Sequence, residues 1–175
     1  MHQYHLTPKI LRHAYTNGYF PMPNELTGEI SWYRPDPRAV ILLHNFHCSK
    51  SLNKIIRKQI FSITFNKAFT EVVKNCGSRK NTWINNEILS AYTRLHYLGN
   101  AHSVEVWRDG KIAGGVYGAS FGAVFFAESM FYRITNASKI ALFFLVQRLI
   151  KSGYILLECQ FMTDHLRSLG AIEFS

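Results

Sequence analysis

Cysteine is scarce in this 175-residue chain, and its three copies, Cys48, Cys76 and Cys159, form no CxxC pair. Such an odd, widely spaced set excludes a disulfide scaffold and fits free thiols in a reducing compartment. Acids are also few: 20 Lys and Arg stand against 11 Asp and Glu, a formal net charge of +9. No window is apolar for long enough to cross a bilayer. The N-terminus, Met1-His2-Gln3-Tyr4-His5, lacks the apolar core of a secretory leader. The expected location is therefore cytoplasmic. Neither a GxGxxG fingerprint nor a P-loop occurs. The Gln/Arg-x-x-Gly-x-Gly/Ala loop that cradles coenzyme A pyrophosphate in acetyltransferases is missing too, as are repeats and low-complexity tracts.

What is present is basic charge and aromatic bulk. An excess of +9 without an amphipathic anchor points to a polyanionic partner, nucleic acid before membrane. The 13 Phe, 9 Tyr and 3 Trp suit a well-filled core or a surface that stacks on bases. Ser49 to Lys58 has helical spacing. Lys50, Lys54, Arg57 and Lys58 share one face, Leu52, Ile55 and Ile56 fall away from it, and no acid interrupts the stripe. That face reads as a phosphate-contacting helix or as a solvated one.

Thr7-Pro8 opens a short helix that stops at Asn17-Gly18. Two aromatic, proline-stiffened loops follow, Tyr19 to Pro23 and Trp32 to Arg38, and the second feeds a strand from Ala39 to Leu43. Phe61 to Phe65 reads as a strand, and Lys67 to Cys76 and Asn86 to Tyr97 as helices. His102 to Trp107, Lys111 to Tyr117 and Ala123 to Met130 are three successive strands, with Asp109-Gly110 as a tight hairpin turn. Asn136-Ala137-Ser138 caps a helix to about Lys151 whose apolar residues cover most of its circumference, so it should be the buried centrepiece. A strand over Tyr154 to Cys159 and a short helix over Thr163 to Leu169 close the pattern. This is an α+β chain with a small N-terminal unit, residues 1–60, before a larger one, residues 61–175.

Two acids sit inside apolar strands: Glu128 in Val124 to Met130, and Glu158 in Tyr154 to Gln160. A buried carboxylate is costly unless paired or assigned work. A lone strand Glu can face solvent or pair with an Arg; two of them flanking one buried helix in a basic chain favour a site. Gly114-Gly115 and Gly118 indicate close approach of backbone or ligand, or a β-bulge. His44 and His47, like His96 and His102, lack a third ligand at recognisable spacing, so no metal is expected.

Taken in order, these motifs resemble the leucyl/phenylalanyl-tRNA–protein transferase family. The matching stretches are Gly18-Tyr19-Phe20-Pro21, Trp32 to Ala39, Thr82-Trp83-Ile84, Ala91-Tyr92 with Leu95-His96 and Gly99, and Ala101 to Trp107. They continue with Gly114 to Gly118, Glu128 to Phe131, Asn136-Ala137-Ser138-Lys139, Cys159-Gln160, and His165-Leu166 with Ser168 to Ala171. The resemblance implies an acetyltransferase-like (GNAT) C-terminal domain. It implies transfer of Leu or Phe from aminoacyl-tRNA to proteins with N-terminal Arg or Lys, which marks them for degradation. It implies no metal, nucleotide or coenzyme, since the aminoacyl ester is already activated.

By the same resemblance, Val116, Phe125, Met130, Leu142, Leu145 and Leu157 would line the Leu/Phe side-chain pocket. Glu128 would hold the α-amino group of the tRNA-borne residue, Trp83 would stack on the terminal adenosine, and Lys50, Lys54, Arg57 and Lys58 would track acceptor-stem phosphates. Gln160 and Glu158 would orient the attacking amine. Three departures bear on activity. Glu158 stands where the family has Asp, moving a carboxylate by about 1.5 Å, and errors of that size can cost on the order of a hundredfold. Met22 replaces an expected aromatic. The chain also begins and ends short of the family's usual length. The rival readings are another acyltransferase on the same fold and a catalytically silent tRNA-binding homologue. Nothing in the sequence demands more than a monomer.

Overall fold

The computed structural model describes residues 6–24, 27–78 and 84–175. Helix α1 (Pro8–Thr16) starts where the Thr7 hydroxyl accepts the Ile10 N–H. The same device begins α2 (Lys50–Arg57) at Ser49, α4 (Asn86–Tyr97) at Asn85 and α6 (Asp164–Ser168) at Thr163. Helix α3 (Phe69–Cys76) and helix α5 (Ala137–Lys151) complete the set. At α5 the cap differs from expectation: Asn136 is left-handed, at φ 70°, and its side chain makes no capping hydrogen bond.

The first aromatic segment expected as a loop is a strand over Phe20–Pro23, whereas the second, Trp32 to Arg38, is a loop over residues 34–37 between two strands. β1 (Phe20–Pro23) pairs antiparallel with β2 (Ile30–Tyr33), with Phe20 opposite Tyr33. Cross-strand packing of Phe20 on Tyr33, centroids 5.9 Å apart, compensates for the prolines on a ribbon that has only edges.

The main sheet has seven strands: β3 (Arg38–Leu42), β4 (Ser62–Phe65), β5 (Ala101–Arg108), β6 (Lys111–Phe121), β7 (Val124–Tyr132), β8 (Leu156–Glu158) and β9 (Ile172–Phe174). Their order is β4-β5-β6-β7-β8-β3-β9, with only the β7–β8 pair parallel. Residues 1–60 thus contribute a strand, β3, and through α2 a helix packed on α5. Asp109 and Gly110 both take positive φ, 52° and 72°, as a two-residue hairpin turn requires.

Each face of the sheet carries its own core. One gathers Val104, Val116, Phe125 and Leu157 under α5, with Leu52 of α2 at its edge. The other gathers Tyr117, Phe126 and Phe131 under α1, α3 and α4. The β6 glycines allow this close stacking. A Cβ on Gly114 would lie 2.6 Å from the Ala137 Cβ, and one on Gly118 would lie 2.1 Å from the Phe126 carbonyl. No described helix is long and apolar enough to cross a membrane.

Candidate active site

The site arises where two parallel strands stop pairing. β7 and β8 are in register only from Val124/Leu156 to Phe126/Glu158. Beyond that point β7 runs on to Tyr132 beside β6 alone, while the chain after Glu158 turns away. The two strands part there. On β7 the parting is flanked by a bulge: Tyr117 pairs with Ser129 but Gly118 pairs with Ala127, so Glu128 is the extra residue. A bulge of this kind re-aims a side chain.

Glu128 is thereby turned toward α1 and α4. Its Oε1 accepts the hydroxyl proton of Tyr15, whose oxygen is hydrogen-bonded in turn to the hydroxyl of Tyr92. Both phenols are buried. Burial pushes the Glu128 carboxyl up to about 8; the Tyr15 hydrogen bond works against this and the Glu158 charge adds to it. Burial, then the neighbouring Glu128 charge, drives both tyrosines well above their ordinary value, so they are fixed donors.

Glu158 holds the other side. It is buried, its Oε1 lies 3.6 Å from the Arg38 guanidinium, and it accepts the backbone N–H of Gln160 at 3.1 Å. Burial raises its carboxyl to about 7, with Arg38 and the Gln160 N–H opposing. Arg38 also donates to the Gly18 carbonyl at 2.8 Å, tying the start of β3 to the turn after α1. Burial and the Glu158 charge push the Cys159 thiol up to about 12, so it is no nucleophile near neutral pH.

Gln160 is held in a left-handed conformation, φ 61°, while its backbone carbonyl accepts from Ala39 N. Its buried side-chain Nε2 has no hydrogen-bond partner among the described residues. An orphaned buried amide costs about 1–3 kcal/mol, and left-handed non-glycine backbone concentrates at functional sites. Both set Gln160 apart from an ordinary buried amide.

The most buried acid among the described residues, Glu105, is by contrast structural. It accepts from Thr64, from the Ser103 hydroxyl, and from the backbone N–H groups of Lys67 and Ala68, which precede α3. Every acceptor direction is filled from within the fold.

Of the residues expected around a Leu/Phe side chain, Val116, Phe125, Leu142, Leu145 and Leu157 lie in one buried cluster, and partly buried Met130 packs against it. Two cavities reach this cluster. One, of about 580 Å³ at the start of α5, is bordered by Met130; the other, of about 230 Å³ near the far end of α5, is bordered by Phe125 and Leu145. Lys50, Lys54 and Arg57 line a groove along exposed α2, followed by exposed Lys58, and none makes an ion pair among the described residues. Trp83 lies outside the described residues. No three His, Cys, Asp or Glu converge as metal ligands among the described residues. Tyr15, Tyr92 and Arg38 were not singled out by sequence. Tyr92 and Arg38 belong to matching motifs and could have been found there, whereas Tyr15 reads as the apolar face of α1.

The family described as leucyl/phenylalanyl-tRNA protein transferase matches residues 40–175, and its N-terminal domain matches residues 5–36. The leucyl/phenylalanyl-tRNA–protein transferase of Salinibacter ruber is 47% identical over 165 residues, 94% of this chain and 73% of that protein. That of Gloeobacter violaceus is 47% identical over 168 residues, 96% of this chain and 87% of that protein. Among solved structures, FemX superposes with a TM-score of 0.63 at 10% identity, covering 95% of this chain and 66% of that one. A GCN5-related N-acetyltransferase from Kribbella flavida gives 0.51 at 10% identity, covering 95% and 60%. These two likenesses establish the acetyltransferase-like fold. With its sequence matched nearly end to end, the chain belongs to the leucyl/phenylalanyl-tRNA–protein transferase family.

Proposed function

We propose that this enzyme moves Leu or Phe from aminoacyl-tRNA to the N-terminal Arg or Lys of acceptor proteins, marking them for degradation, and that it works as a cytoplasmic monomer. One observation supports the chemistry above others. Two carboxyl groups with pKa values of about 8 and about 7 flank the parting of β7 and β8, beside an amide with an unused donor.

In this reading Glu128, oriented by Tyr15 and Tyr92, grips the α-amino group of the tRNA-borne residue. Its raised pKa falls again when an ammonium group docks, so the pair forms only with ligand in place. The Leu or Phe side chain enters the apolar cluster of Val116, Phe125, Met130, Leu142, Leu145 and Leu157. Such a pocket selects by size, with one methylene worth about 1–3 kcal/mol.

The acceptor amine attacks the ester carbonyl carbon. A C–N bond forms, the bond to the terminal ribose oxygen breaks, and the proton lost by nitrogen balances the one that oxygen gains. Gln160 orients the amine, and Glu158 attracts its positive charge and is poised near neutrality to take the proton. A free α-amino group titrates near pH 8, so positioning supplies much of the rate. Residues 1–60 present α2 to the acceptor stem, with Trp83 stacking on the terminal adenosine, and residues 61–175 form the catalytic unit.

The test mixes charged Leu-tRNA or Phe-tRNA with peptides starting in Arg, Lys or Ala and follows mass addition. Addition to the Arg and Lys peptides alone is expected. No product despite tight tRNA binding would sink the proposal.

A further inference from the structure

We propose that the cavity at the start of α5 is a phosphate site, seating a backbone phosphate of the single-stranded 3′ end of aminoacyl-tRNA. The inference rests on the transfer reading above and adds a subsite to it. The cavity, about 580 Å³, lies between the end of α3, the far end of β7, the first turn of α5, and α6.

Its charge is of one sign. Arg133, Lys139 and His165 line it, and no acid does among the described residues. The Arg133 guanidinium donates to the Asn75 side-chain oxygen at 2.5 Å, a neutral partner, and makes no ion pair among the described residues. Burial, and then the Lys139 charge, lower the His165 pKa, so near neutral pH His165 is an uncharged hydrogen-bonding group and the positive charge of the cavity is that of Arg133 and Lys139. Same-sign groups gathered in a cavity are favourable only when a counter-charge arrives.

Donors point the same way. α5 is 15 residues long and no side chain caps its start; the Ala137 N–H is taken by the Ile134 carbonyl, so the N–H groups of Ser138 and Lys139, both residues of the cavity lining, are the ones offered to a ligand. Ser138, in that turn, is 8% exposed, borders the cavity, and its hydroxyl makes no hydrogen bond among the described residues. A phosphate oxygen would give that hydroxyl a partner.

Position supplies the identity. Met130 borders the cavity and is two strand residues from Glu128, roughly 7 Å. An aminoacyl ester gripped at Glu128 therefore carries its nearest backbone phosphates into reach of α5. The basic face of α2 lies on a different element and is left for the double-stranded stem.

The experiment measures binding alone, by fluorescence anisotropy, with a dye-labelled ACCA oligonucleotide and its uncharged methylphosphonate analogue. The native chain is expected to bind the charged oligonucleotide about tenfold more tightly. Lys139→Glu should abolish that preference and cut the salt slope by roughly 0.7, while Lys139→Arg keeps both. Equal affinity for the two oligonucleotides, or an unchanged preference in Lys139→Glu, overturns the site. So does calorimetric binding of coenzyme A that Lys139→Glu removes while ACCA binding persists. Absence of aminoacyl transfer would count against the reaction proposed above and leave this result standing.

Discussion

Glutamine in place of Glu128 retains an oxygen for the Tyr15 hydroxyl but cannot ionise. In the folded chain this carboxyl titrates at about 8 against an ordinary 4.5, chiefly through burial, with the Tyr15 hydrogen bond opposing and Glu158 adding. An acid with a raised folded pKa holds its proton longer when folded than when unfolded. Its stabilising effect is complete below about 4.5 and is lost as pH rises through about 8. Within that window each pH unit is worth about 1.4 kcal/mol. Between pH 6 and pH 8 the native chain should therefore lose roughly 2 kcal/mol relative to Glu128→Gln, allowing for the turnover near pH 8. Glu158, at about 7, follows the same sign but is common to both proteins and largely cancels in the difference. Urea denaturation at pH 6, 7 and 8 reads this directly. With about 2 kcal/mol per molar for the denaturant slope, the midpoints should separate by about 1 M across the range. The same substitution should impair transfer more than it impairs binding of uncharged tRNA. Parallel stability–pH curves would refute the burial argument, and equal losses of transfer and binding would refute the amine-gripping role.

Removing the guanidinium in Arg38→Met takes away the cation 3.6 Å from Glu158, so that carboxyl should titrate above its present value of about 7. The acidic limb of the kcat/KM profile should then move to higher pH, and an unmoved limb would show that Glu158 does not govern it. Gly118→Ala sets a Cβ 2.1 Å from the Phe126 carbonyl and 2.5 Å from the Phe125 ring; a loss of about 1–3 kcal/mol is expected from overpacking, and an unchanged urea midpoint would contradict it. Reversing Lys54 and Arg57 to Glu should weaken tRNA binding and flatten its salt dependence by roughly two phosphate contacts. Unaltered affinity would make that groove no more than a solvated helix face.

Much of the architecture was legible because its signals are local. Helix starts at Thr7, Ser49, Asn85 and Thr163 rest on a side chain bonding its own backbone three residues on. The Asp109-Gly110 turn rests on two adjacent residues that tolerate positive φ. The aromatic segment around Phe20 misled because its prolines argue for a loop and the compensation comes from a partner strand. Strand β9 escaped notice for a related reason: it has only three residues, and its pairing is with β3, more than a hundred positions away.

Sequence by itself determined the inventory of chemistry: a basic face along Lys50 to Lys58, acids at Glu128 and Glu158, an amide at Gln160, and motifs in an order specific to one family. It could not say what those acids do, because a carboxylate's behaviour depends on neighbours brought from afar. Tertiary structure alone supplied Tyr15 and Tyr92 to Glu128, and Arg38 to Glu158. It also set the fully bonded, structural Glu105 apart from both. The reason is physical: burial and charge act through space, and the contacts that temper these burial-raised pKa values join residues as many as 120 positions apart along the chain.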